Sequence, residues 1–337
     1  MVQEKRRPWR RWVLLALMIV GFWLAGIFVP VQPEITVAPE KLIEEPIFHN
    51  FLGFAGPFYL VNTIPTLVVT LILIGLLVYF TNRSMKRSAG TDLVPRGVGN
   101  VMEAVLEMLY NMTEGSAGKW TKIIFPWFAS IMIYVLFANL LKLIPGFESI
   151  GVLHHASGEG YLADPLGGRW STLLPTKVAE GGYILAPFFR GISVDLNFTV
   201  SLALIAVVAI QVVGFRAQGI GYLKKFFNVG NIFKVPVFGV IDFFMGLLEL
   251  ISELAKILSF AFRLFGNMFA GFVLVAVVSS LLGVISIVPA MIFMFELFIG
   301  LIQAFVFGIL TMVFMVMVTS SHGGEEEHAA DSSAHEI

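Results

Sequence analysis

The sequence predicts an all-α, polytopic membrane protein of about six transmembrane helices, the last two long and strongly tilted as a hairpin. Three observations carry this. Of 337 residues, 57% are hydrophobic and only 13% charged, and mean hydropathy is +0.86, well beyond what a soluble core absorbs. Several separate runs approach or exceed the roughly 18 to 20 apolar residues that cross about 30 Å of hydrocarbon as a helix, where no water satisfies an exposed backbone. Finally, there is no cysteine, which excludes disulfides, thiol nucleophiles and Cys-based metal centres, so packing and lipid must hold the fold. A net charge of -1 argues against a nucleic-acid partner.

The first apolar run, Trp12 to Val29, follows Lys5, Arg6, Arg7, Arg10 and Arg11. It is long for a signal peptide and reaches Pro30 without a clean small-residue cleavage pattern, so it reads as a retained anchor. An acidic linker with Glu34, Glu40, Glu44 and Glu45 completes a segment over 1–46. A second span, about Phe58 to Phe80, ends at the basic stretch Asn82 to Arg87, which the positive-inside rule places in the cytoplasm. Val98 to Tyr110 has helical periodicity with Glu103 and Glu107 on another face and reads as an interfacial helix. The third span, about Ile123 to Ile144, closes at Pro145-Gly146.

Phe147 to Ser193 is rich in Gly and Pro and reads as a long outer loop; His154 and His155 in it lack the neighbouring carboxylates or thiols of a metal site. The fourth span, about Leu196 to Phe215, leads to a second basic loop with Arg216, Lys224, Lys225 and Lys234. Two long apolar stretches follow, Val237 to Ile285 and Ile287 to about Val318. The main membrane domain thus covers 47–320, and 321–337 is a polar tail without the apolar content to pack. Six spans put both termini in the cytoplasm, in agreement with the basic loops.

The fifth stretch holds about 49 residues, too many for one upright helix at about 1.5 Å each. Within it Glu249, Ser252, Glu253, Lys256, Ser259, Arg263 and Asn267 fall on an arc of about 120° at about 100° per residue. Each charge near a helix centre costs about 2.5 to 3.5 kcal/mol on insertion scales, so the stripe must face protein or water. Glu253 and Lys256, three residues apart, have a simpler reading as a mutually neutralising pair. Arg263 does not, because Phe260, Phe262, Leu264 and Phe265 surround it and its guanidinium keeps its proton. On the last span Glu296, Gly300 and Gln303 share about 60° of one face. Gly300 admits a neighbouring helix or water, and a lone carboxyl in an apolar helix suits proton uptake and release near neutral pH.

Leu258 to Gly271 reads LSFAFRLFGNMFAG, and here the chain resembles subunit a, the membrane stator subunit of the F-type ATP synthase. Val194-Asp195-Leu196-Asn197-Phe198-Thr199 and Leu301-Ile302-Gln303-Ala304-Phe305-Val306-Phe307 carry the same resemblance, which spans roughly Ile47 to Ser320. It implies a subunit of a bacterial plasma membrane complex with no active site or cofactor of its own. Its partners would be a rotor ring of c subunits, against which the last two helices lean, the b subunits of the peripheral stalk, and the rest of the synthase. It implies that Arg263 deprotonates the c-ring carboxylate and blocks proton leak between two offset aqueous half-channels. Glu296 and Gln303 would line the outer path or flank the arginine, Asn267 lies one turn after it, Glu249 lies toward the cytoplasmic exit, Ser259 belongs to the ion pathway, and Asp195 and Asn197 lie near the outer side. Phe272 departs from the pattern, standing where many members carry an ionisable or polar partner for the position of Glu296, which leaves Glu296 to act alone. A secondary transporter is the alternative, but no internal repeat of the kind such proteins carry is visible.

Overall fold

In a computed structural model the described residues are 36–43, 45–47, 56–88, 97–144, 147–148, 150–156, 158–167, 170–226, 236–282 and 288–320. The expected N-terminal anchor and the polar tail lie outside them. Among the described residues six α-helices form the body: α1 Thr63–Ser88, α2 Val98–Ala117, α3 Thr121–Leu141, α4 Leu196–Gln218, α5 Pro236–Leu282 and α6 Val288–Ser320. Among the described residues five helical stretches are long and apolar enough to cross a membrane, α2 and α3 counting as one through the 3-10 turn Gly118–Trp120. The chain is a multi-pass membrane protein.

The interfacial helix expected to end near Tyr110 continues to Ala117 and stops at Gly118, whose φ of 50° breaks the helical path. Its Leu109 is fully buried, against α3, α4 and α6. One core cluster lies at this end of the bundle: Leu109, Ile124, Phe128, Ile210, Val213, Met312 and Met315, closed by Tyr222 from the 3-10 turn Gly219–Lys225. Gln218 Nε2 donates to Val318 O at 2.7 Å, tying the ends of α4 and α6 together. The second cluster lies deeper along the helices and joins Val135, Ala203, Ala206, Phe260, Leu264, Met268, Ala304 and Phe307. In both, α3 and α6 approach closely, because Gly308 has no side chain. A Cβ there would fall 2.9 Å from Met132 Cβ and 3.1 Å from the Phe128 ring.

The segment expected to be a loop contains a four-stranded antiparallel sheet, order β1-β4-β2-β3: β1 Gly151–His155, β2 Glu159–Gly167, β3 Trp170–Glu180 and β4 Tyr183–Pro187. The Gly and Pro content concealed it. Short β-prone runs such as Val152-Leu153, Leu173-Leu174 and Tyr183-Ile184-Leu185 pair across irregular registers, with a break between Tyr161 and Leu162. His155 stacks on Tyr183, ring centres 4.5 Å apart.

After the sheet, the 3-10 turn Ile192–Val194 leads into α4, and Asp195 caps it by accepting from Asn197 N at 2.9 Å. The other carboxylate oxygen of Asp195 accepts from Thr63 Oγ1 at 2.9 Å, so one side chain joins the starts of α1 and α4.

Candidate ion-conducting site

The polar stripe lies on α5, and α6 and α3 complete it. Arg263 is half-buried, and its Nη2 donates to Ser259 Oγ at 3.3 Å, one turn earlier. Among the described residues no carboxylate lies within ion-pair distance of the guanidinium. It opens into a cleft of about 290 Å³ lined by Ser252, Ala255, Lys256, Ser259, Phe260, Leu310 and Phe314. Glu253 and Lys256 form the expected local pair at 2.8 Å, and the ammonium also sits 5.0 Å above the Phe314 ring. Glu249, half-buried, stands with Glu253 close enough to Tyr222 to act on its charge.

One turn beyond Arg263, Asn267 Nδ2 donates to Gln303 Oε1 at 2.7 Å and bridges α5 to α6. Gln303 is buried and its Nε2 finds no partner among the described residues. Two turns from Gln303 on α6, Glu296 is also buried, and it is not alone: Lys142, just past α3, forms an ion pair with its Oε1. The same ammonium reaches Met268 O at 3.3 Å. The expectation that Glu296 lacks a charged partner is therefore overturned, because the partner comes from another helix. At the departure point, Phe272 packs into the second core cluster, with the Arg190 guanidinium 6.0 Å from its ring centre.

Gly300 is approached by α3, its carbonyl accepting from Asn139 Nδ2 at 2.9 Å; Asn139 Oδ1 is buried and unpaired among the described residues. Asp195 lies away from Arg263, its oxygens engaged in capping and in the bond to Thr63. Exposed Asn197 lines a separate open groove of about 490 Å³ with Phe58, Leu67 and Ile205. The structure thus brings together Ser259 with Arg263 and Asn267 with Gln303, and sets Asp195 and Asn197 apart.

Sequence reasoning missed Asn139, Lys142, Glu148 and Arg190. Lys142 was detectable: it falls inside the expected third span, where an ionisable residue asks for a partner. Arg190 is 4% exposed, and donates to Thr36 Oγ1 at 2.9 Å, to Ala38 O at 3.0 Å, and also to Thr36 O. Glu148 Oε1 accepts from Gly191 N at 3.2 Å. Burial drives the Glu148 carboxyl above its ordinary range, partly offset by that hydrogen bond and by Lys142 and Arg190.

Apolar helices that enclose several pairs of ionisable and amide side chains, beside an arginine with no carboxylate partner among the described residues, fit a membrane protein of the ion-translocating class. Residues 63–316 match the ATP synthase A chain family, and the chain belongs to it, as a subunit of the membrane, ion-translocating part of that enzyme. It is similar to ATP synthase subunit a of Syntrophobacter fumaroxidans, 28% identical over 264 residues, 78% of this chain and 83% of that one. The same protein of Campylobacter jejuni is 30% identical over 239 residues, 70% of this chain and 83% of its own. ATP synthase subunit a, sodium ion specific, of Propionigenium modestum is 25% identical over 312 residues, 90% and 92% of the two chains.

Proposed function

We propose that this chain is the stator of a proton-driven rotary ATP synthase in a bacterial plasma membrane. It would stand beside a rotor ring of c subunits and be held by the b subunits of the peripheral stalk, with both termini cytoplasmic. Arg263 acts on the ring carboxylate. A fixed positive charge at close range favours the ionised carboxylate, so an arriving site releases its proton, and the same charge bars protons from crossing directly. The inner half-channel runs through the cleft at Ser252, Lys256 and Ser259, past Glu249. The outer one runs along Glu296, Gln303 and Asn267.

The observation that carries this reading is the unpaired state of Arg263 among the described residues. An arginine within a membrane span without a carboxylate is costly, and a carboxylate arriving from another chain relieves that cost. The flank of α5 beside Arg263 is apolar and open, with Ile251, Leu254, Leu258 and Phe262 all exposed, so lipid or a partner outside this chain can lie against it.

The test is Arg263→Ala in the assembled synthase. ATP synthesis driven by a proton gradient in proteoliposomes should be lost while the complex still assembles. Normal coupled synthesis would refute the mechanism.

A further inference from the structure

Glu296 marks the innermost end of a longer run of charged groups. Lys142, with side-chain exposure of only 5%, reaches it across the interface between α3 and α6. The Lys142 stem lies over Gly191, where an added Cβ would fall 3.0 Å from Lys142 Cβ and 3.1 Å from Cδ. The amide of that same glycine holds Glu148. On the far side Glu296 rests on a second glycine, since a Cβ at Gly271 would meet Glu296 Oε1 at 3.0 Å. Two missing side chains thus leave room for a continuous line Glu148, Lys142, Glu296 at the sheet-bearing end of the bundle.

We propose that Glu148 and Lys142 extend the outer proton path beyond Glu296, Glu148 exchanging protons with the outer solution and Lys142 holding the Glu296 carboxylate as the acceptor. This rests on the proton-path reading above. In the transfer, the O–H bond of the Glu148 carboxyl breaks and its proton passes through water to Glu296, where a new O–H bond forms. Glu148 is left as carboxylate and Glu296 as neutral acid, while Lys142 stays an ammonium throughout. Glu148 then takes a proton from the outer solution.

The charges around the pair favour such sharing. Lys142 faces Glu296 and Glu148, and Glu148 also faces Arg190, which faces Glu40 and Asp195. Four carboxylates therefore surround two cations in a largely buried region. Burial holds the Glu148 carboxyl toward its protonated form, which makes it the proton donor of the line. Lys142 is a positioning residue, and it acts through Glu296.

The experiment uses the whole synthase in proteoliposomes. ATP synthesis is measured against the pH of the outer-facing compartment, with total driving force held constant by a potassium diffusion potential. Lys142→Met removes the ammonium that holds the Glu296 carboxylate, so the pH dependence should move upward by about one unit or more, with a lower maximal rate. Glu148→Gln removes a like charge and the exchange group, so the curve should move downward and the rate fall. Lys142→Arg keeps the charge and should restore the parental curve. Opposed shifts are not produced by loss of packing alone. Curves for Glu148→Gln and Lys142→Met that superimpose on the parent would overturn the proposal. If Lys142→Met does not assemble, Glu148→Gln decides by the same criterion. Loss of synthesis in Arg263→Ala beside unshifted curves would reject this extension and leave the function intact.

Discussion

An arginine that never gives up its proton works only through where it is held, and the hold on Arg263 is light. One hydrogen bond to Ser259, at 3.3 Å, leaves most of the guanidinium free to meet a carboxylate from outside. Glu296 is the opposite case, clamped by Lys142 and backed by Gly271. Gly271→Ala would push the carboxyl by a few tenths of an ångström, and proton pumping should fall by up to about tenfold, given that about 1 Å of misplacement can cost about a hundredfold. Dye quenching in inverted vesicles would measure it, and unchanged pumping would dismiss the steric argument. Glu296→Gln has a separate cost, since it strands a buried ammonium, with an expected loss of about 3–5 kcal/mol. Thermal unfolding should show that loss, and the double variant Lys142→Met with Glu296→Gln should recover most of the stability without recovering transport.

At the scale of elements, the helices were legible because lipid-spanning runs and the polar stripe of α5 are strong periodic signals; α5 and α6 closely follow the expected limits, whereas α1 starts later than Phe58 and runs through the basic stretch Asn82 to Arg87 to Ser88. The Lys256 pairing with Glu253 was equally legible, being local in sequence. Contacts between distant elements were not. Lys142 and Glu296 are separated by 154 residues, and no periodicity within either helix reports the other. The sheet between α3 and α4 was hidden for a related reason: its strands are short, their register is irregular, and cross-strand partners replace an internal pattern. The α3–α6 contact invites a direct test. Gly308→Val would press against Met132 and Phe128, and overpacking of this kind costs about 1–3 kcal/mol. A lowered melting temperature of the purified complex is expected, and an unchanged one would mean the helices separate freely there.

For the whole molecule, Glu148 links stability to pH. Its folded-state pKa is raised, chiefly by burial, so the native state prefers the protonated carboxyl. The stabilising contribution is complete below the ordinary value of 4.5 and is lost as pH rises through the elevated folded value. Melting temperature of the complex in detergent should therefore decline across that interval, and Glu148→Gln should flatten the decline. A parallel decline in parent and variant would assign it to other groups. Arg190 binds the segment at Thr36 and Ala38 to this same end, so Arg190→Ala should open residues 36–43 to limited proteolysis while leaving the helical body resistant.

The exposed flank of α5 has a mechanical consequence. Leu254, Leu258 and Phe262 offer a moving neighbour no hydrogen bonds to break, and dispersion and hydrophobic contact are nearly indifferent to direction. Against the proposed rotor ring, such a surface would behave as a low-friction bearing along which the partner slides with little resistance. The steps in its motion would then be set by charge, where Arg263 interrupts the apolar track.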